Sequence, residues 1–494
     1  MKAKIISISV TLIFLVTSFS EALKAQTDTI SVEESEDGWK LLVNDEPLMV
    51  NGMNWDYFPI GTNYEYILWD ESPEFIEEAL DNEMSLLQNM GANAIRVYTG
   101  IPKKWIEHIF DNYGIYTMLN HSFGRYGLTI DGEWIGNTNY ADERVKELLL
   151  REVTELAEEY RDTRGLLLYL LGNENNYGLF WDGAETENIP VEDRESTIRA
   201  RHMYQLFNKG ALAIKAVDEN YPVAIANGDL QFLDIIAEEV PDIDIFGTNT
   251  YRGMTFTDLY DRVKNEYGKP VLLTEFGSDA FNARTNREDQ GAQARYKHSN
   301  WRDIYENAAG LGRANNSIGG FTFQFSDGWW KHGQTEDLDV HNTEASWANA
   351  GYRFDYVEGE NNMNEEWFGI TAKGPVNSDG FYNLYPRAAY FVLKEVHTFD
   401  PYAPGTTLED IEQHFNSISI EDAKLRAKEY IGALKHPWKY PYEMGINSVQ
   451  SLYTGLEARR STMIGENIGF NFLDNSIPSR IKKISTAGLP ETLR

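Results

Sequence analysis

Short apolar segments with almost no polar alternation recur along the chain. One of them, at 166–172, reads Leu-Leu-Leu-Tyr-Leu-Leu-Gly and holds no charged residue. Strands of this kind are expected where helices cover one face of a sheet and a core fills the other. The pattern predicts eight buried strands, at 48–54, 94–98, 115–121, 166–172, 223–227, 243–249, 271–275 and 320–325.

Between these segments, apolar residues recur three or four positions apart, as amphipathic helices require. The first helix is predicted to begin at Ser72-Pro73, a capping residue followed by proline, and to end at Gly91. Eight strands alternating with helices indicate the α/β class and a (β/α)8 TIM barrel. The alternative is an open doubly wound sheet, but no glycine-rich phosphate loop follows the first strand. The remaining helices are predicted at 105–110, 143–160, 197–216, 232–239, 257–267, 296–309 and 386–396.

The links between the predicted elements are unequal in length. Links from a helix to the next strand are short, as at 91–93, whereas links from a strand to the next helix are long, and the longest covers 326–385. The long links also collect aromatic residues, among them Trp55, Tyr57 and Trp181. Because loops at the carboxyl ends of the strands build the active face of such a barrel, we expect the functional site there.

The segments before and after the predicted barrel have different patterns. Residues 29–43 alternate around Glu36-Asp37-Gly38, which predicts an N-terminal β-hairpin belonging to a catalytic barrel domain over 27–400. Residues 401–494 are predicted to form a helical C-terminal extension, with helices at 408–415, 420–434 and 446–459.

The N-terminus has the composition of a secretory signal. Lys2 and Lys4 precede an apolar stretch at 5–19, and small residues around Ala22 suit a signal peptidase. We therefore expect a signal peptide over residues 1–25, with a membrane anchor as the alternative. No other long apolar run exists, so no membrane span is expected after cleavage, and without cysteine there is no site for an N-terminal lipid anchor. The expected location is secreted or periplasmic.

Charge and composition exclude several classes of partner and cofactor. The 494 residues carry a formal net charge of −33, so nucleic acid and anionic membrane surfaces are expected to be repelled. The chain has no cysteine and no histidine spacing typical of a zinc site, and Asp337, Asp339 and Glu344 lack the spacing of a calcium loop. We expect no metal and no other cofactor. The chain has no Gly-x-Ser-x-Gly motif, so a serine hydrolase is not expected.

Two glutamates lie at the carboxyl ends of predicted strands. Glu174 follows the fourth strand and Glu275 ends the seventh, and these strands face each other across the mouth of an eight-stranded barrel. A pair of carboxyl groups at one site is what cleavage of a glycosidic bond needs. A separation of about 5 Å indicates a retaining mechanism, and a wider gap with room for water indicates inversion. The alternative is that each glutamate is a structural carboxylate paired with a basic neighbour.

Further candidates lie at the same ends of the strands. Arg96 is a cation inside an apolar strand, and a buried charge needs a partner, for which Glu275 is the natural choice. Asn173 is placed to bind a hydroxyl of the sugar, and Tyr251 to hydrogen-bond the nucleophile. For each residue the alternative is a role in packing or in a loop. The full set of predicted substrate-binding residues is Arg96, His121 with its neighbour Asn120, Asn173, Asn249, Tyr251, Trp55, Trp329 and Trp330.

These residues make the chain resemble the clan A glycoside hydrolases. Members of that clan carry an Asn-Glu pair after strand four and a glutamate after strand seven, which Asn173-Glu174 and Glu275 match. Further matches are the strand-two arginine at Arg96, the strand-six tyrosine at Tyr251 and the strand-eight tryptophan at Trp329 or Trp330.

The resemblance covers residues 40–400 and is closest in general likeness to the catalytic barrel of family 2 enzymes. The segments 92–98 and 172–174 are also similar to β-1,3-glucanosyltransferases. The resemblance implies a retaining mechanism with Glu174 as acid/base and Glu275 as nucleophile.

Three functions follow from this reading of the sequence. The leading expectation is an exported glycoside hydrolase that cleaves a β-linked polysaccharide or oligosaccharide. The second is transglycosylation of a β-glucan by the same pair, because a sugar hydroxyl competes with water for the glycosyl-enzyme. The third is a barrel that binds glycans without cleaving them, which the presence of both Glu174 and Glu275 disfavours.

Overall fold

The computed structural model of the protein describes residues 27–98, 100–180 and 188–433. The predicted signal peptide at 1–25, the aromatic residue Trp181 and the predicted helix at 446–459 lie outside these ranges. In the described ranges no helix is both long enough and apolar enough to cross a membrane.

Eight parallel strands close into a barrel, which confirms the predicted (β/α)8 fold. They follow one another around the barrel in chain order, and the eighth pairs with the first, Gly319 lying opposite Val50. All six residues of the fourth strand are buried, as expected for a strand covered on both faces. The strands are Val50–Asn54, Ala94–Val97, Tyr116–His121, Leu166–Leu171, Val223–Gly228, Ile245–Asn249, Val271–Gly277 and Ser317–Phe323.

Helices follow the strands and surround the barrel. The first begins as its sequence predicts, because Ser72 Oγ accepts a hydrogen bond from the Phe75 amide and Gly91 ends the helix at a φ of 86°. The eight helices are Pro73–Met90, Lys103–Tyr113, Glu143–Tyr160, Glu195–Val217, Leu233–Glu239, Leu259–Glu266, Gln290–Glu306 and Ala388–Val396.

The N-terminal hairpin lies at the end of the barrel where the strands begin. Ile30–Ser35 pairs antiparallel with Gly38–Val43, which confirms the predicted hairpin, and the short strand Glu46–Pro47 extends the sheet. The Trp39 amide donates to the carbonyl of Asn315, which lies just before the eighth strand. The opposite end of the barrel, where the strands finish, is therefore left to the long loops.

The C-terminal helices pack on the outside of the barrel. They span Leu408–Ser417 and Ile420–Ala433. A capping box between Thr407 and Asp410 starts the first of them, and its Phe415 is fully buried. These helices contact the helices Gln290–Glu306 and Ala388–Val396, and Ile420–Ala433 also contacts the strand Tyr382–Pro386.

The long loops carry small elements of their own. They include the two-stranded sheets Leu128–Ile130 with Glu133–Ile135, Phe281–Asn282 with Arg287–Glu288, and Thr371–Val376 with Tyr382–Pro386. They also include the 3-10 helices Leu68–Asp70, Asn175–Phe180, Val191–Asp193 and Glu365–Trp367.

Candidate active site

A sharp turn after the fourth strand presents Glu174. Gly172 has a φ of 81° and Glu174 itself a φ of 57°, so the chain reverses within a few residues. The Glu174 amide donates to the carbonyl of Ala226, and the Asn173 amide donates to Oδ1 of Asn175. A non-glycine residue in the left-handed region is uncommon and is held there only by its surroundings. These backbone bonds therefore fix the position of Glu174.

Glu275 lies inside the seventh strand and not at its end. It is opposite Asn249 of the sixth strand, after a shift of register between Thr248 and Asn249. Its carbonyl accepts from the Thr250 amide at 2.8 Å. The residue is 7% exposed, so its carboxylate meets the interior of the barrel mouth.

Three donors surround the Glu275 carboxylate. Arg96 Nη1 lies 3.0 Å from Oε1, and the Tyr98 hydroxyl donates to the same oxygen. The Tyr251 hydroxyl donates to Oε2 at 2.9 Å. Arg96 is fully buried, and a buried ion pair is favourable only when further hydrogen bonds complete it. The arrangement complements a negative charge on Glu275.

The Arg96 guanidinium connects the seventh strand with the third and fourth. Its Nη2 donates to Oδ1 of both Asn120 and Asn173 at 2.8 Å, and its Nε donates to Asn120 at 3.0 Å. Asn249 Nδ2 also donates to Asn173 Oδ1, at 2.9 Å. Arg96, Asn120 and Asn249 thus hold Asn173, the residue before Glu174, in a fixed position relative to Glu275.

Glu174 has a different electrostatic environment. Burial and the nearby charge of Glu275 raise the pKa of Glu174 to about 7, while Arg125 and a hydrogen bond from Asn249 act in the opposite direction. Two carboxyl groups close enough to repel each other do not both ionise freely. This environment favours the protonated form of Glu174.

The structure brings most of the predicted site residues together. One connected set of hydrogen bonds and electrostatic contacts joins Glu174, Glu275, Arg96, Asn173, Asn249 and Tyr251, with Asn120 also part of it.

His121 lies outside this set, which corrects the expectation that it binds substrate. Its Nε2 is 3.5 Å from Glu152 Oε2 on the helix Glu143–Tyr160, and its Nδ1 accepts from the Phe123 amide. Successive side chains of a strand point to opposite faces. Since Asn120 points into the barrel and contacts Arg96, His121 points outward to the helices.

Trp55 and Trp329 are core residues, which corrects the expectation that they bind sugar. Trp55 is 1% exposed and its indole Nε1 donates to Glu83. Trp329 is 2% exposed and stacks on His341, which in turn stacks on Trp367. Neither indole offers a face to a ligand.

Trp330 belongs to the loop after the eighth strand and packs against the loop after the first strand. Its ring is half-buried and meets the edges of Phe58 and Tyr64, each at 5.6 Å between ring centroids. The Lys331 ammonium group lies 4.8 Å from its ring centre. A role for Trp330 in binding sugar remains a prediction.

The sequence reading missed two tyrosines of the site. The Tyr98 hydroxyl donates to Glu275, and Asn54 Oδ1 lies 2.8 Å from the same hydroxyl oxygen. Its signal was its spacing, because it lies two residues after Arg96 and so on the same face of an extended segment. Tyr126 accepts a hydrogen bond from Asn173 Nδ2 at 2.7 Å, and no pattern in the long loop after the third strand marks it.

A metal centre has no support among the residues that the structure describes. There, no group of three or more histidine, cysteine, aspartate or glutamate side chains is arranged to hold an ion. The acidic loop with Asp337, Asp339 and Glu344 forms no such group.

Comparisons with known proteins find likeness in fold. No protein-family model matches the sequence, and no curated protein matches it. A solved structure of a GH2 beta-galacturonidase from Eisenbergiella tayi bound to galacturonate is 16% identical, with a TM-score of 0.47, and the match covers 76% of this chain and 55% of that one. Beta-glucuronidase 2 of Bacteroides uniformis, covalently bound to cyclophellitol-6-carboxylate aziridine, is 14% identical with a TM-score of 0.50, over 76% of this chain and 37% of that one.

The chain thus spans only 55% and 37% of the length of these two proteins. The likeness to the glucuronidase, at 14% identity, concerns the barrel fold.

Proposed function

We propose that this protein is a retaining glycoside hydrolase that cleaves a β-linked oligosaccharide or polysaccharide by double displacement. The observation that carries the proposal is the unlike environment of two neighbouring glutamates. Glu275 has three hydrogen-bond donors around it, one of them a buried arginine. Glu174 has burial and a like charge beside it, which raise its pKa to about 7. Pairs of carboxyl groups with such different environments divide into an acid and an ionised partner.

In the first step Glu275 is the nucleophile. Its carboxylate attacks the anomeric carbon, the bond from that carbon to the leaving oxygen breaks, and Glu174 transfers its proton to that oxygen. The products are a covalent glycosyl-enzyme on Glu275 and a free leaving group. The donors from Arg96, Tyr98 and Tyr251 keep the carboxylate in position for the attack.

In the second step Glu174 acts as the base. It takes a proton from water, whose oxygen attacks the anomeric carbon, and the bond to Glu275 breaks. Once Glu275 is esterified, its negative charge is gone. Because that charge helps to raise the pKa of Glu174, the pKa falls in the intermediate, which suits a base.

Trapping of the intermediate tests this proposal. The protein is incubated with a panel of 2,4-dinitrophenyl 2-deoxy-2-fluoro-β-glycosides, and the intact mass is recorded. The panel includes glucose, galactose, mannose, galacturonic acid and glucuronic acid derivatives, the last because a solved structure of similar fold is a beta-glucuronidase. We expect one member to add the mass of a single sugar.

Two variants serve as controls for the trapping. Glu275→Gln should gain no mass, whereas Glu133→Gln, a change at an exposed glutamate of the loop after the third strand, should label like the wild type. If the wild type gains no mass from any member of the panel but still binds glycans, the protein is a glycan-binding barrel and the hydrolase proposal is wrong.

Export is part of the proposal and rests on the first 25 residues alone. We expect the mature protein recovered from cells that produce it to start near residue 26 and to be found outside the cytoplasmic membrane. N-terminal mass analysis of that protein would detect an uncleaved anchor instead.

A further inference from the structure

Two partly exposed tyrosines flank Glu174. Tyr126, from the loop after the third strand, is 43% exposed, and Tyr177, from the 3-10 helix after the fourth strand, is 37% exposed. The Glu174 charge acts on the Tyr177 hydroxyl, and the Tyr126 hydroxyl contacts Asn173 next to Glu174. Both rings therefore lie at the mouth of the site and offer area to a ligand.

Tyr126 is fixed in place by its loop. The segment Gly124–Gly127 forms a turn, with the Gly127 amide donating to the Gly124 carbonyl, and both glycines have positive φ. A Cβ at Gly127 would come within 2.6 Å of the Trp134 ring, so that ring packs closely behind the turn. With its hydroxyl bonded to Asn173, Tyr126 presents its ring in a single orientation.

Tyr177 is fixed in a similar way. Its amide donates to the carbonyl of Glu174 at 3.1 Å. A Cβ at Gly228 would come within 2.6 Å of the Tyr177 ring, so the ring lies flush against the end of the fifth strand. A preorganised ring costs little entropy when a ligand stacks on it.

A cavity lies next to the turn that carries Glu174, and Asn175 of that turn lines it. Its volume is about 390 Å³, within the range of about 300 to 1,000 Å³ that small-molecule sites have. Its lining includes the side chains of Arg125, Asn139, Asn175, Ile198 and His202. Arg125 also donates to the carbonyl of Asn173, so the cavity directly adjoins the turn that carries Glu174.

Different aromatic residues surround Glu275. Tyr251 bonds to it, and the rings of Phe323, Trp347 and Phe368 pack around Tyr251 at 5.8 to 6.3 Å between centroids. Phe323 ends the eighth strand, and the other rings come from the loops after the sixth and eighth strands. Tyr126 and Tyr177 come instead from the loops after the third and fourth strands, and the Glu275 charge also acts on both of their hydroxyls.

The chemistry of the reaction gives the two glutamates different tasks. The nucleophile must face the anomeric carbon of the sugar that is transferred, whereas the acid must face the oxygen of the leaving group. Rings beside the acid therefore meet the leaving group, and in the second step they meet whatever replaces it. The CH-rich face of a sugar ring stacks on an aromatic ring, whereas water gains nothing from one.

Given the proposed hydrolase function, we propose that Tyr126 and Tyr177 form the binding site for the leaving-group sugar, and that the same site accepts a second sugar as acceptor. In that second reaction a hydroxyl oxygen of the acceptor attacks the anomeric carbon of the glycosyl-enzyme. The bond to Glu275 breaks and Glu174 takes the hydroxyl proton, which leaves a new β-glycosidic bond.

Reactivation of the trapped enzyme tests this site. The 2-fluoroglycosyl-enzyme is freed of excess reagent, and the return of activity is followed in buffer alone and with cellobiose, laminaribiose or mannobiose. We expect at least one disaccharide to speed the return in the wild type. In Tyr126→Ala, half-maximal acceleration should need about tenfold more of that disaccharide, a change of about 1.4 kcal/mol.

Matched variants separate the ring from the hydroxyl and from general effects. Tyr126→Phe keeps the ring but loses the bond to Asn173, so its half-maximal disaccharide concentration should lie between those of the wild type and Tyr126→Ala. Phe354→Ala removes a ring that is 44% exposed elsewhere, and it should also behave like the wild type. Each variant's response to the disaccharide is compared with its own reactivation in buffer alone, so a general effect of the change on the glycosyl-enzyme is not counted as a loss of the sugar site.

The outcomes keep the two proposals apart. If the wild type does not trap at all, the hydrolase proposal fails. If trapping is normal but no disaccharide speeds reactivation, or if Tyr126→Ala responds as the wild type does, the leaving-group site is wrong while the hydrolase proposal stands.

Discussion

Arg96 makes the two glutamates unequal at the scale of single residues. Its guanidinium donates directly to Glu275, whereas on the other side it reaches Asn173 and not the Glu174 carboxyl. A charge-assisted hydrogen bond is about twice as strong as a neutral one, so this difference matters. With Tyr98 and Tyr251 as further donors, the Glu275 carboxylate has three hydrogen-bond donors around it. At Glu174, burial and the charge of Glu275 outweigh Arg125 and Asn249 and raise the pKa.

The raised pKa of Glu174 predicts how activity depends on pH. Burial and the charge of Glu275 raise the pKa to about 7, and the proposed acid works only while it is protonated. For a phenyl β-glycoside of the preferred sugar, whose leaving group needs a proton, kcat/KM should therefore fall tenfold per pH unit above about pH 7. A pH profile of initial rates measures this directly.

The matched substrate is the 2,4-dinitrophenyl glycoside of the same sugar, whose leaving group departs without a proton. Its kcat/KM should stay level where that of the phenyl glycoside falls. Identical falls for both substrates would show that the titrating group is not the acid.

At the scale of elements, the turn after the fourth strand depends on Gly172. Its φ of 81° belongs to the left-handed region, where residues with a Cβ are strained. A Cβ at this position would also come within 2.6 Å of Asn175 Oδ1 and 2.8 Å of the Phe207 ring. Because the turn sets the position of Glu174, a change in its geometry should affect both the stability of the fold and the activity of the site.

Gly172→Ala should therefore lower both stability and activity. We expect the free energy of unfolding, from urea titration, to fall by about 2 to 3 kcal/mol, the sum of backbone strain and overpacking. We expect kcat/KM to fall at least tenfold. Gly114→Ala is the matched control, because Gly114 has a φ of 65° but open space around it.

Gly114→Ala should cost about 1 kcal/mol and leave kcat/KM unchanged. Equal losses in the two variants would mean that contacts at Gly172 add nothing to backbone strain. Full activity of Gly172→Ala would mean that the geometry of this turn does not control the position of Glu174.

Elements were predictable because the strand pattern is local. The fourth strand was predicted at 166–172 and is found at Leu166–Leu171, and its neighbours agree as well. The direction of a side chain was not predictable at strand ends, because an error of one residue in the alternation places the side chain on the opposite face of the strand. Thus Asn120 enters the site and His121 does not.

Long loops limited the prediction for a related reason. Tryptophans in loops at the active end of a barrel favour a role in binding, but packing within the loop decides whether a face stays open. Trp329 is covered by His341, and Tyr126, in a loop of ordinary composition, keeps its ring exposed. Such contacts are formed between distant segments, and no local pattern records them.

At the scale of the whole molecule, closure of the barrel assembles the site. Arg96 and Glu275 are 179 positions apart in the chain, and Arg96 and Asn173 are 77 apart. The hairpin lies against the segment that leads into the eighth strand, and the C-terminal helices pack on two outer helices. Neither segment covers the ends of the strands that carry Glu174 and Glu275. The order of the strands around the barrel was therefore enough to predict that these two residues lie close together.

The central claim is that Glu275 attacks the sugar while Glu174 handles the proton. The most direct test is the anomeric configuration of the glycosyl azide that Glu174→Ala forms from a 2,4-dinitrophenyl β-glycoside in sodium azide, read from the proton NMR spectrum. Azide should enter the space that the carboxyl group leaves and attack the intermediate on Glu275, which gives the β-azide. An α-azide from this variant would make Glu174 the nucleophile and contradict the account.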